Sequence, residues 1–168
     1  MTMPYHRLGA SKPPERFFTK RYMTHVFAQA IVFIFFQIFA LGLLTSQPWY
    51  KSKHIDEDNV LTVNLTDENT VVMAVALSQY MIASIIVSVG PPFRQRWFEN
   101  KFLVICLVWQ AALVLYVIFA PQDPVKKYFF CCTDLGNTNF EVTLLVLIIA
   151  NAVVSMLLQF FIGHNDRK

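Results

Sequence analysis

The pattern along the chain is one of blocks: long apolar runs free of charge, separated by short polar segments that carry the prolines and most of the ionic residues. The run from Val71 to Val89 sets the scale. It has neither charge nor proline over about 19 residues, the length an α-helix needs to cross the hydrocarbon core of a bilayer. It ends at Gly90-Pro91-Pro92, where neither proline can continue the helix. Phe93, Arg94, Gln95, Arg96 and Trp97 follow at once, and a second run begins after Lys101. The two runs therefore predict a transmembrane hairpin with a short cationic connection, and two more runs flank it. Spans are expected at residues 22–45, 71–89, 102–120 and 142–162, which makes residues 22–163 an all-α, multi-pass membrane bundle.

The segments between the runs give the expected topology. Residues 1–21 form a basic tail with Arg7, Lys12, Arg16, Lys20 and Arg21, and 164–168 form a stub with Arg167 and Lys168. With Arg94, Arg96 and Lys101, these hold ten of the 14 Lys and Arg residues. The other two connections hold only Lys51, Lys53, Lys126 and Lys127. The positive-inside rule then predicts both termini and the Pro91-Pro92-Phe93-Arg94 loop in the cytosol. The connection after the first span is acidic, with Asp56, Glu57, Asp58, Asp67 and Glu68, and Asn64-Leu65-Thr66 is a glycosylation sequon if that loop is lumenal. Pro121 and Pro124 are expected to stop the third span, and the stretch through Lys126, Lys127, Cys131, Cys132 and Asp134 shows little pattern. Gly163 is expected to cap the fourth. The first run ends too far along the chain for a cleaved signal peptide, so it reads as a retained span.

Composition narrows the function. With 55% apolar and 15% charged residues the chain is too greasy for a soluble domain of its size. The net charge of +3 sits at the ends of apolar runs rather than on one exposed face, so it is topological and does not point to nucleic acid. Cys106, Cys131 and Cys132 offer neither metal-ligand spacing nor a disulfide framework and read as free thiols. A cation crossing the bilayer needs mid-depth carboxylates or polar groups, and none of the four runs holds Asp, Glu, Lys or Arg. Gln29, Gln37, Gln79, Gln110 and Asn151 are their strongly polar mid-span groups, with His25 near an end. Interhelical hydrogen bonding is the first reading of the amides, ahead of substrate contact. Ala74 and Ser78, then Ser84 and Ser88, lie four apart and predict close packing of the second span on more than one side.

Several segments resemble the carboxyl-terminal membrane region of P-type ATPases of the fifth class, polyamine-transporting branch. Glu68-Asn69-Thr70-Val71-Val72, Gln79-Tyr80 and Ser88-Val89-Gly90-Pro91-Pro92-Phe93-Arg94 are similar to that family's ENTVVF, FQY and SxGxPFR segments. Lys12-Pro13-Pro14 resembles its R-P-P stretch, Gln47-Pro48-Trp49-Tyr50 its Q-P-W-Y, and Val142-Thr143, Asn151-Ala152 and Ser155 its last span. Ser78 stands where the family has phenylalanine, and Arg96 where it has proline. The order and spacing of these matches cover nearly the whole chain.

The resemblance implies the last four spans of such a pump, in an endosomal, lysosomal or plasma membrane. The parent family transports with ATP and magnesium. This sequence has no D-K-T-G-T phosphorylation motif and no glycine-rich phosphate loop, so no cofactor is expected in the chain itself. The expected function is that of a membrane support region, a fragment or truncated relative lacking the catalytic domains. Its expected partners are the lipid bilayer and the remaining helices and cytosolic domains of a pump. The alternative is an independent four-span scaffold or interaction protein without transport. A tetraspanin-like protein fits poorly, because its second outer loop should be long and cysteine-rich.

Overall fold

The computed structural model describes residues 20–51, 66–87 and 97–165. The described residues form five α-helices: α1 (Lys20–Thr45), α2 (Asp67–Val87), α3 (Lys101–Phe119), the short α4 (Pro124–Tyr128) and α5 (Thr138–Asn165). A 3-10 turn at Trp97–Glu99 precedes α3, and no strand occurs among the described residues. Four of the helices, α1, α2, α3 and α5, are long and apolar enough to cross a membrane. Even α3, with 19 residues, spans about 28 Å at 1.5 Å per residue, close to a hydrocarbon core about 30 Å thick. The chain is an integral, multi-pass, all-α membrane protein. The basic tail through residue 19, most of the acidic connection with Asn64, the Pro91, Pro92, Phe93 and Arg94 loop, and residues 166–168 lie outside the described residues.

The helices run past the apolar blocks at their ends, for local reasons. Helix α2 starts at Asp67, four residues before the apolar run. Thr66 caps it by accepting from the Asn69 N–H at 3.2 Å, and Asp67 and Glu68 sit in the first turn, where the helix dipole favours anions. Helix α5 likewise takes in Thr138 to Glu141, behind Asn137, which accepts from the Phe140 N–H at 3.4 Å. Asn100 caps α3 by accepting from Leu103 N–H at 3.3 Å. Gly163 does not end the last helix, which continues to Asn165. Prolonging the helix satisfies backbone groups at the edge of the bilayer, and glycine without a following proline does not forbid it. Pro124 does not merely stop the third span either. It is the first residue of α4, where a missing N–H leaves no bond unmade.

Helix α2 is central and packs against α1, α3 and α5, while α1 also packs on α5. Ala74 and Ser78 are fully buried on it, so small residues lie where neighbouring backbones come close. The apolar core gathers at one end of the bundle. Phe36, Ala40 and Leu44 of α1, Val71 and Val75 of α2, Val117 and Ile118 of α3, and Phe140 and Leu144 of α5 meet there with Cys132 and Leu135 of the last connection. At the other end, where α1 and α3 begin and α2 and α5 finish, the described helices leave Phe27, Ile31, Phe102, Ile105, Leu157 and Phe160 exposed.

Candidate functional site

Residues four apart lie on one face of a helix. His25, Gln29, Phe33 and Gln37 of α1 therefore form a single row, and every member of it bonds to another helix. His25 Nδ1 donates to Gln159 Oε1 at 3.0 Å, and Gln29 Nε2 donates to Ser155 Oγ at 2.7 Å. The Ser155 hydroxyl donates to Asn151 Oδ1 at 3.4 Å, so Asn151, Ser155 and Gln159 form the matching row on α5. Further along, the partner changes from α5 to α2. The Phe33 carbonyl accepts from Gln79 Nε2 at 2.9 Å, and Gln37 Nε2 donates to the Val72 carbonyl at 3.2 Å. Gln110 Nε2 of α3 donates to the Leu77 carbonyl of α2 at 3.1 Å.

The structure thus places each of the five mid-span amides on a contact between helices, four directly and Asn151 through Ser155. Three of the glutamines reach backbone carbonyls that already close helical bonds, using the second lone pair of each oxygen. Some capacity is left over. Asn151 Nδ2, Gln37 Oε1 and Trp49 Nε1 are buried and find no hydrogen-bond partner among the described residues. Among the described residues, no three His, Cys, Asp or Glu side chains are grouped as a metal site.

A second polar cluster closes the well-packed end, and it joins segments singled out in the sequence. Tyr50 of the Gln-Pro-Trp-Tyr stretch donates to the Glu68 carboxylate, and the Trp49 ring meets Phe140 edge to face at 5.5 Å. Asn69 Nδ2 donates to the Cys131 carbonyl at 2.6 Å. The Thr70 oxygen accepts from the Thr133 N–H at 2.8 Å, and the Thr133 hydroxyl donates to Asp67 at 2.7 Å. Asp67 to Thr70 therefore hold the last connection across the helix ends. An isolated parallel bridge between Thr66 and Cys132 extends the join, and Cys131 adopts a left-handed φ of 53° within it. Cys131 and Cys132 are free thiols, and burial pushes the Cys132 thiol up, which keeps it protonated at neutral pH.

Lys126, read from sequence only as a loop cation, is fully buried here. Its Nζ donates to the Ala120 carbonyl at the end of α3 at 2.6 Å, where the helix dipole favours a cation. Its N–H donates to Asp123 Oδ1 at 2.6 Å, and its carbonyl accepts from the Cys132 N–H at 3.0 Å. The Tyr116 hydroxyl lies 2.7 and 2.6 Å from the two Asp123 oxygens. That bond first, then the Lys126 N–H, holds the Asp123 carboxyl below the usual carboxylate range. Sequence reasoning missed this clamp, although Asp123-Pro124 is a helix-start signature. It also missed Gln159, which the spacing of four from Asn151 through Ser155 could have found.

No family model matches the chain. Among curated proteins, it is 26% identical over 172 residues to a probable cation-transporting ATPase, catp-6, of Caenorhabditis elegans, covering 99% of this chain and 14% of that protein. It is 27% identical over 176 residues to human polyamine-transporting ATPase 13A3, covering 92% of this chain and 14% of that protein. The yeast vacuolar cation-transporting ATPase YPK9 is 22% identical over 148 residues, with 88% of this chain and 10% of that protein covered. The chain spans about a seventh of the length of the first two of these relatives. Over nearly its whole length, this four-span chain is homologous to a segment of the cation- and polyamine-transporting P-type ATPases.

Proposed function

We propose that the chain serves as a membrane support region of a polyamine- or cation-transporting P-type ATPase, contributing scaffold while other parts of the pump carry the chemistry. The observation that carries this reading is the similarity running from one end of the chain to the other while covering about a seventh of such relatives. The bonding of the five amides supports a structural role for them, since they are spent on helix contacts rather than gathered around one cavity. The residues present do not fit ATP or magnesium. Phosphoryl transfer needs a nucleophilic carboxylate with a magnesium site beside it. Of the described carboxylates, Asp67, Glu68 and Asp123 are bonded to Thr133, Tyr50 and Tyr116, and no three His, Cys, Asp or Glu side chains among the described residues are grouped to hold a metal. In this reading both cofactors belong to the remainder of the pump, as do the groups that would hold a cation at mid-depth.

In this reading, both termini and the Pro91-Pro92-Phe93-Arg94 loop face the cytosol, the acidic connection faces a lumen or the outside, and Asn64 becomes a glycosylation acceptor there. A second reading, an independent four-span scaffold, draws on the fact that the amides find partners within the chain itself. Reconstitution separates the two. Vesicles holding only this chain should show no magnesium-dependent ATP hydrolysis and take up no spermine. Co-expression with the amino-terminal part of a related pump should yield a complex that does both. Activity of the purified chain alone, or failure of the two parts to associate while each is folded, would overturn the support reading.

A further inference from the structure

We propose that α4 is seated in the bilayer: the face formed by its Val125 and Tyr128 with Phe129, the residue that caps it, lies in the headgroup and upper acyl layer of the leaflet bordering the well-packed end of the bundle. Val125, Tyr128 and Phe129 are spaced three and one apart, so they share one face of a helical turn. They are 52%, 73% and 79% exposed, although all three are large and apolar or aromatic. The intervening Lys126 is turned fully inside, so the face is clear of its charge.

The height of this face is fixed by bonds to the preceding span. Tyr116, one turn before the end of α3, reaches the Asp123 carboxylate, and Lys126 Nζ reaches back to the Ala120 carbonyl. The Phe130 ring lies 6.1 Å from that of Tyr116. These contacts tie α4 to the end of the membrane-crossing helix, near the edge of the hydrocarbon core. On the last turns of α3, Leu115 and Phe119 are likewise 47% and 40% exposed, so apolar side chains are left open to lipid up to the end of that span. At that depth the chemistry of the face fits lipid. Tyr and Phe suit the boundary between headgroups and acyl chains, and exposed Lys127, whose ammonium lies 5.2 Å from the Tyr128 ring centroid, can reach a headgroup phosphate. This seating needs only a membrane, so it holds whether or not the chain works with a pump.

Fluorine NMR of the full chain in phosphatidylcholine nanodiscs tests the proposal. Trifluoromethyl-phenylalanine is placed at Phe129 and, separately, at Tyr128, so that a label disturbing one position leaves the other to be read. Phe119 carries the same label as a reference. A nitroxide near the top of the lipid acyl chain is expected to broaden the signals at 129 and 128 at least as strongly as the signal at 119. Sparing by the nitroxide lipid overturns the proposal whatever else reaches the fluorine: broadening by a soluble gadolinium chelate would then place the face in water, and sparing by both agents would place it under protein.

Discussion

The two ends of the bundle are built differently, and the contrast shows where the chain packs on its own side chains and where it does so less. At the end where α1 and α3 finish, apolar side chains from all four spans are buried together, and Asp67 to Thr70 tie the last connection across them. At the opposite end, α1 and α5 are held by His25 with Gln159 and Gln29 with Ser155; Ile82 of α2 is buried there, but Phe27, Ile31, Phe102, Ile105, Leu157 and Phe160 stay exposed. In lipid there is no hydrophobic drive to bring helices together, so packing and hydrogen bonds must do it. The closed end uses both. The open end relies largely on hydrogen bonds.

The largest expected effects follow from that difference in packing. Leu44→Ala at the closed end, where the side chain is fully buried, should cost about 2–5 kcal/mol through the cavity it leaves. Leu157→Ala at the open end, 50% exposed, should cost far less. Unfolding in mixed micelles by denaturing detergent measures both, and equal losses would erase the distinction between the ends. Next in size is Thr70→Val, which keeps the shape but strands the Thr133 N–H. Each buried group left unpaired should cost about 1–3 kcal/mol, read as a lower midpoint in the same titration.

How far the sequence foretold this follows from where its signals lie. The spans were legible because a bilayer demands uncharged runs of fixed length, and that demand is written into the composition of each block. The closeness of α2 to its neighbours was legible in Ala74 and Ser78, but not in the second pair of the same spacing: Ser84 is exposed and bonds back to the Tyr80 carbonyl of its own helix, and Ser88 lies outside the described residues. The amide contacts were foreseeable in kind but not in detail, since a glutamine in lipid must find a partner and spacing alone does not say which helix brings it. The clamp around Lys126 was hidden. A lysine is expected in water, and only the return of the chain onto the end of α3 makes the Ala120 carbonyl available to it. The joining of Tyr50 to Glu68, and of Thr70 to Thr133, was hidden for the same reason: each pairs segments far apart along the chain.

Smaller effects sharpen the picture of the amides. Gln110→Leu removes a donor from the Leu77 carbonyl and should cost about 0.6–2 kcal/mol. Asn151→Leu should be nearer neutral, because it also removes an N–H group that has no acceptor among the described residues. A comparison of the two variants by detergent unfolding checks the order. Asn151→Leu proving the more costly would show that its free N–H has a partner in the membrane.

The smallest effect concerns pH. Asp123 has its carboxyl held low by Tyr116, so its folded pKa is below its unfolded one. Its contribution is full above the ordinary aspartate value of about 3.9 and is lost as pH falls through the depressed folded value. Tyr116→Phe should therefore lower the thermal midpoint at neutral pH and show a smaller further drop on acidification than the parent chain. Parallel acid profiles for the two would remove Asp123 from the account of the closed end.

The central claim is that the closed end is self-sufficient and the open end awaits other helices. Hydrogen exchange, read by mass spectrometry on the chain in nanodiscs alone and again with the amino-terminal part of a related pump, tests it most directly. Amides of residues 70–78, 114–119 and 140–148 are expected to be protected in both samples. Those of residues 23–32, 101–110 and 152–161 are expected to exchange faster in the chain alone and to gain protection in the complex. Full protection of the open end in the chain alone, or protection gained at the closed end instead, would contradict the account.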